Sequence, residues 1–477
     1  MPNTVSVPFV GNRHVDRSVQ INGQRSVNWH DSLSGDGAKT VLSLIPTEGL
    51  DKRAEFGNGG CRSTELTLFQ GALYWVNFDQ LLKMTTDQTV TAVGTLNTTD
   101  GICFAAAGKN YLLVVDGTDG YTWNGSTFAA VSDPHFPANP SHCGFIDGFF
   151  IALDQGSDVW QKSAQEDATD WDELEFATAE AEPDDAVAIE TSYRDLYIIG
   201  TITTQVYYNS NNPDFPFELY ANGVLEFGTP APASVARAGG NIFMLAQHKS
   251  GGLTILRVNG FQAQRIADTD IAEYLDGLSA AEVANAEAYA YTRSDQTLYE
   301  ITFPSNDLTL VYHLEQNDWH ERRSGTGETG RHRTRGHGYF NNIHYVGDFE
   351  NGKIYELDPT KYTEDGATIR RERIMGAVHR DGLQIECSRF ELEFVRGQGL
   401  TTGQGSDPQA MMSYSVDGGR TWSSELWRSM GKLGEYRRRA EWYRLGQSED
   451  YRFRVVVTDP IEATIVGAYG DFEVLAA

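Results

Sequence analysis

Carboxylates, imidazoles, thiols and glycine-rich turns are the groups in this chain that could make or break a bond. Glycoside hydrolysis needs two facing carboxylates in unlike environments, and Asp184-Asp185 with Glu180 and Glu182 supply acids at close spacing. Adjacent acids on a strand point to opposite faces, and among 66 acidic residues a chance cluster is expected. Gly325-Thr-Gly327-Glu-Thr-Gly330 spells G-x-G-x-x-G. A dinucleotide fingerprint needs a buried strand before it and a helix after it. Here it is flanked by Trp319-His320-Glu321-Arg322-Arg323 and Arg331-His-Arg-Thr-Arg335-Gly-His337, so it reads as a flexible loop. His332 and His337 have no acidic or cysteine partner at metal spacing. Cys61, Cys103, Cys143 and Cys387 lie far apart and read as buried free thiols of a protein made in a reducing cytoplasm. No Gly-x-Ser-x-Gly elbow, His-Glu-x-x-His or P-loop lysine occurs. No catalytic residue, cofactor or metal is therefore expected.

Ser415-Val-Asp417-Gly-Gly419-Arg-Thr421-Trp422 fits the Asp-box pattern S-x-D-x-G-x-T-W. In that hairpin Asp417 accepts hydrogen bonds from the turn amides while Trp422 packs beneath. The box abounds in sialidases, which makes a glycosidase the first enzyme hypothesis. Sialidases, however, carry it several times inside a propeller, and here it occurs once, late in the chain. Ser415, Asp417, Gly419 and Trp422 are therefore assigned to a structural turn. Three basic clusters stand out in an acidic protein: Arg322, Arg323, Arg331, Arg333 and Arg335; Arg370, Arg371 and Arg373; and Arg437-Arg438-Arg439. They read as exposed segments balancing nearby acids, as docking patches for an acidic partner such as a second copy of this chain, or as phosphate contacts. On the docking reading, neutralising Arg331, Arg333 and Arg335 weakens assembly and leaves the monomer folded.

The elements that must carry these residues are strands. Residues 194–235 hold a dry run (Leu196-Tyr197-Ile198-Ile199), an alternating run (Gln205-Val206-Tyr207-Tyr208) and two further short runs, separated by polar turns. Strand and turn repeated within about 40 residues describe one blade of a β-propeller. Similar apolar runs recur at 73–76, 111–115, 149–153, 242–245, 288–291 and 343–346, and six or seven blades both fit. Residues 1–60 read as an extended N-terminal arm and lead-in, 61–365 as the propeller. From 366 to 477 longer alternating strands, such as 389–396 and 451–458, predict a β-sandwich. The expected fold is all-β. One helical interruption is predicted at 270–291, split near Gly277 because Ser279-Ala-Ala-Glu282 is a capping box, and another helical turn at 170–175.

With 477 residues the chain exceeds one ordinary core. It has no apolar run long enough to span a membrane, and its start lacks the pattern of a signal peptide. Net charge is −28, which opposes coating of DNA and favours a surface that nucleic acid passes without sticking.

Several phrases in order resemble one family, the packaged-DNA stabilisation proteins that form the tail hub, or nozzle, of short-tailed bacteriophages. They include 101–123, 145–150, 170–183, 203–217, 310–323 (LVYHLEQNDWHERR) and 346–358 (VGDFENGKIYELD). The resemblance spans residue 28 to the C-terminus. It implies a structural virion protein with no catalytic residues, located in the tail and assembled in the host cytoplasm. It further implies a ring of six copies beneath a portal and its tail adaptor (the head-to-tail connector), with tail fibres, tailspikes or a needle as neighbours. Such a ring would close the head after DNA packaging and form part of the ejection channel. Alternatives are a virion propeller binding a host receptor or glycan, with Tyr207, Tyr208, Trp319 and Trp422 on an exposed shelf, and a sialidase-like hydrolase.

Overall fold

The computed structural model describes residues 3–11, 13–15, 18, 22–33, 40–179, 184–213 and 215–475. Apolar runs such as Leu73-Tyr74-Trp75-Val76 and Leu112-Leu113-Val114-Val115 become strands buried on both faces. Because side chains alternate across a strand, one such run packs against two neighbours. Leu73 and Trp75 meet Tyr345 and Ile354 on one side, while Tyr74 and Val76 meet Leu112 and Val114 on the other. Leu113 and Val115 then face Phe150 and Ala152 of the following sheet. A strand that is apolar at every position is thus the signature of sheets stacked radially.

Seven sheets follow in order, and each is one blade: blade 1 (67–95), blade 2 (104–130), blade 3 (140–178), blade 4 (186–225), blade 5 (227–265), blade 6 (287–322) and blade 7 (334–358 with Gly49–Glu55). Seven separate apolar clusters fill the seven spaces between neighbours, the last joining blade 7 to blade 1. The seventh blade closes with a strand from the start of the chain: Gly49–Glu55 pairs antiparallel with Lys353–Asp358. Of the six or seven blades expected, seven are present.

The helical interruption is two helices, α1 (Thr269–Asp276) and α2 (Ala280–Ala284). The Ser279 hydroxyl accepts from the Glu282 amide, and Glu282 in turn accepts from the Ser279 amide at 2.7 Å. Ile271, Leu275 and Val283 plug the wedge between blades 5 and 6. The helical turn expected at 170–175 is instead part of strand Asp167–Thr178, the outer edge of blade 3. Its pairing runs from Gln161–Phe176 directly to Ser163–Trp171, so residues 172–175 bulge outward from the sheet.

The second domain is a sandwich. One sheet holds Trp29–Leu33, Leu42–Pro46, Ile465–Val474, Ile385–Phe394 and Ala440–Tyr443, with Asn3–Ser6 on Ile465–Val474. The other holds Arg371–Ile374, Asp450–Val457, Gln409–Ser415 and Leu426–Ser429. Phe390 and Phe453 stack between them at 4.1 Å beside Trp442 and Trp29. Gly23–Val27 pairs with Arg371–Ile374 on one side and, at Val27, with Glu321 of blade 6 on the other. One eleven-stranded sheet therefore runs from propeller to sandwich. The first 60 residues differ from a separate extended arm. The described strands there are short because they fill gaps in the sandwich and blade 7, and apart from Leu42–Pro46 they are mostly polar, which is why little periodicity marks them.

Candidate functional site

The arginines expected at a subunit or partner interface lie instead inside the chain: Arg322, Arg323, Arg370, Arg371 and Arg373 about the junction of the two domains, and Arg331, Arg333 and Arg335 in the propeller between blades 6 and 7. Arg322 is 3% exposed. It donates to Glu48 Oε1 at 3.1 Å and the Glu48 carbonyl at 3.0 Å, with Glu300 at 3.5 Å. Arg323 is buried, pairs with Glu321 at 3.7 Å, and its amide donates to Asn28 Oδ1 at 3.0 Å. Arg331 and Arg335 take the two oxygens of Glu287 at 3.1 and 2.7 Å, and Arg331 also covers the Phe349 ring. Arg333 pairs with Asp348 at 2.9 Å. Arg370 binds Glu372 at 2.7 Å, Arg371 the carbonyls of Asp459 and Tyr362, and Arg373 the Phe9 carbonyl and Gln24. All eight are buried or half-buried. They are not an exposed docking patch on the folded chain, because buried carboxylates, and for Arg371 and Arg373 carbonyl and amide oxygens, take up their donors. Arg437 and Arg438 of the third cluster are exposed.

Sequence reading missed the acidic half of these pairings: Glu48, Glu287, Glu300, Glu321 and Asp348. Burial raises Glu48, but Arg322 and Arg293 outweigh it and hold the carboxyl well below its ordinary range. Burial and Arg322 push His332 down, yet Glu300 at 2.7 Å and Glu364 at 3.5 Å hold it above its ordinary value. Asn28, in the left-handed region at φ 54°, donates to the carbonyls of Arg323 and Arg370 at 2.8 Å each. No local signal marked the pairing, since Arg331 and Arg333 lie in the loop before strand Thr334–Phe340 and their acids come from other segments of the chain.

The other candidates are structural as well. Asp184 is buried and caps the 200–203 turn, accepting from the amides of Thr201, Ile202 and Thr203 at 2.8–3.0 Å. It has no facing carboxylate role there; Glu180 and Glu182 lie outside the described residues. The G-x-G-x-x-G segment is a loop followed by strand Thr334–Phe340, as its flanks predict. His337 faces His344 at 2.9 Å. Cys61, Cys103, Cys143 and Cys387 are free and buried, and burial pushes Cys61, Cys103 and Cys387 up to about 12. Asp417 forms its turn, accepting from the amides of Arg420 and Thr421 at 3.0 and 2.9 Å, with Ser415 Oγ at 2.7 Å and Gly419 at φ 91°. Trp422 lies under the Arg454 guanidinium. Tyr207 and Trp319 are core, not shelf.

The propeller axis holds a cavity of about 590 Å³, lined by the innermost strand of every blade. Glu65, Glu190, Arg237 and His142 face it. Arg237 lies 3.3 Å from Glu190. Burial lifts Glu190 to about 7, with Arg237 pulling it down and Glu65 adding to the rise. His142 stacks on Phe104 at 3.9 Å, and burial pushes it down to about 4. An imidazole kept neutral in the fold stabilises above pH 6.5, and that stability is lost as pH falls towards 4. It amounts to ~3 kcal/mol for His142. Glu190 acts in the opposite sense, its contribution lost as pH rises from about 4 to about 7. Urea unfolding at pH 7 and pH 4.5 is expected to show a shallower acid loss in His142→Gln than in the parent; equal slopes would contradict it.

The family described as bacteriophage P22 Gp10, beta-propeller, matches residues 38–362, and that described as bacteriophage P22 Gp10, beta-sandwich, matches residues 370–473. The chain belongs to the bacteriophage P22 Gp10 family. The two matched segments meet within the junction between the Gp10 propeller and sandwich described above, and the family resemblance read from the sequence is met. Gp10 family membership makes this a structural protein of the phage virion tail. No curated protein matches the chain. Among solved structures it is similar to a catalytically inactive virginiamycin B lyase from Staphylococcus aureus with quinupristin, at 10% identity and TM-score 0.43 over 65% of this chain and 98% of that one. It is also similar to the Neurospora crassa Pan2 WD40 domain, at 7% identity and TM-score 0.41 over 66% and 95%.

Proposed function

We propose that this chain forms a ring at the tail hub, below the portal and adaptor, where it closes the head after DNA packaging and lines part of the ejection route. The observation that carries this reading is the Gp10 family match over both domains, 38–362 and 370–473. Charge supports it: at −28 the chain repels a passing polyanion and does not hold it. The propeller axis is not that route. A cavity of about 590 Å³ is on the scale of a small-molecule pocket, too narrow for a duplex, so DNA would pass along the outside of each copy, on the axis of the ring. Labelling this chain in intact virions is expected to mark the tail below the head. Particles assembled without it are expected to contain proteolytically mature heads that leak their genome. A label elsewhere, or heads that keep their DNA, would overturn the proposal.

A further inference from the structure

Two surfaces on this chain are opposite in charge, rich in exposed apolar side chains, and far apart. The first is one edge of the sandwich. Leu426–Ser429 ends one sheet and Ala440–Tyr443 ends the other, and residues 430–439 loop across between them. Arg428 ties the two strands by donating to the Glu441 carbonyl at 2.9 Å. Between 427 and 444 there are six Lys and Arg against two Glu, in a chain whose total is −28. Trp427, Leu433, Tyr436 and Tyr443 are each more than half exposed. Exposed aromatics interleaved with arginines are the composition of interface centres, not of ordinary surface.

The second surface is the outer edge of blade 3. Strand Asp167–Thr178 carries five acids and no basic residue. Its outward bulge at 172–175 lifts Leu174 to 81% exposure, with Phe176 at 45%. Beside the bulge lies a groove of about 730 Å³, lined by Asp147, Asp170, Asp172 and Glu175 and by two basic residues, Arg194 and Lys162, the latter paired with Glu175, so that a surplus of two acids remains. Around the seven-blade ring, blade 3 stands three blades from blade 6, which bears the sandwich. No position on the ring is farther. The basic edge of one molecule therefore cannot fold back onto its own acidic groove.

We propose that the sandwich edge at 427–444 of one copy docks into the acidic groove and bulge of blade 3 of the next copy. Arg437 and Arg438 enter the groove, and Tyr436 and Leu433 cover Leu174 and Phe176. Unlike patches on opposite ends of one subunit make a head-to-tail contact, which closes into a ring when the rotation between copies allows. The contact also answers the repulsion between copies at −28, because it brings together the one strongly basic edge and a locally acidic one. This rests on the ring reading above but stands on its own surfaces.

The test uses the full chain and its own charge pattern. Arg437→Glu/Arg438→Glu removes the basic surplus of the edge, leaving four basic against four acidic residues, and Asp170→Lys/Asp172→Lys turns the groove basic, so neither variant alone keeps an attractive pair of surfaces. In sedimentation at low salt the parent chain is expected to associate, and each variant alone to lose at least tenfold in association. An equimolar mixture of the two is expected to recover it, since each variant's edge then meets the other's groove. Circular dichroism and a Tm close to the parent's confirm that the variants fold. Should the lysine pair fail to fold, Leu174→Asp is the second groove variant, with the same expected loss. A parent that never associates, variants that associate like the parent, or a mixture that stays apart would overturn the contact. So would retention of duplex DNA by the parent that vanishes in Arg437→Glu/Arg438→Glu, which would reassign the edge to phosphate. A label found outside the tail would sink the functional reading while leaving the mixing result to be judged alone.

Discussion

Arg322→Met is expected to destabilise the protein by about 3–5 kcal/mol, the usual effect of removing one partner from a buried ion pair. The reason is the company Arg322 keeps. Its guanidinium is 3% exposed, and it faces Glu48 and Glu300. Methionine replaces the aliphatic stem but leaves Glu48 with fewer donors and Glu300 with its neighbours His332, Thr334 and Tyr289 and no cationic arginine. A carboxylate stranded in low dielectric must take up a proton or draw in water. Pairing Arg322→Met with Glu48→Gln should therefore recover part of the loss, since the second change removes the orphaned charge. Urea midpoints of parent, single and double variants measure both effects. A single-variant loss under about 1 kcal/mol would mean that solvent reaches this network. The same logic reverses the expectation for Arg331, Arg333 and Arg335. Neutralising all three should lower stability first, because Glu287 and Asp348 lose their partners.

The fragment 366–477, made alone, is expected not to fold. By sequence it looks like a sandwich of about 110 residues, enough for a domain. In the structure its core also contains Val7, Phe9, Trp29 and Leu44 from the other end of the chain. Its sheets lose five strands with that segment: Asn3–Ser6, His14–Val15, Gly23–Val27, Trp29–Leu33 and Leu42–Pro46. Removing one buried Trp or Phe side chain typically costs about 3–5 kcal/mol, and whole domains are stable by only about 5–15. The fragment should show a collapsed, poorly dispersed amide spectrum, and co-production with residues 1–48 should restore dispersion. A cooperative unfolding transition in the fragment alone would refute the claim.

These two cases mark where sequence stopped being informative. The blades were legible because runs such as Leu196-Tyr197-Ile198-Ile199 are buried on both faces by two neighbouring sheets, so apolarity alone announces them. The α1–α2 break was legible because a capping box is a local interaction. The bulge at 172–175 was misread as helix because Asp-Glu-Leu-Glu has no β-branched residue, while pairing with strand Val159–Ala164 keeps the strand extended. The arginine clusters were misread for a different reason. A run of like charge shows only its own sign, and the acids that neutralise Arg322, Arg331 and Arg335 come from positions 48, 287 and 300. No window along the chain contains both halves. The third cluster differs in one physical respect: Arg437 and Arg438 sit on a loop at a sheet edge, where no second layer is available to bury them.

The strand that closes the propeller has a consequence for how the protein is made. Gly49–Glu55 leaves the ribosome early, but the residues it pairs with are translated about 300 residues later. During that wait the nascent chain carries an open-ended stack of blades and an unmatched edge. Asp51, Lys52, Arg53 and Glu55 set four charges, two of each sign, along that edge, a composition that discourages joining to a stranger's sheet. The waiting strand is in effect guarded by its own charges until its partner arrives.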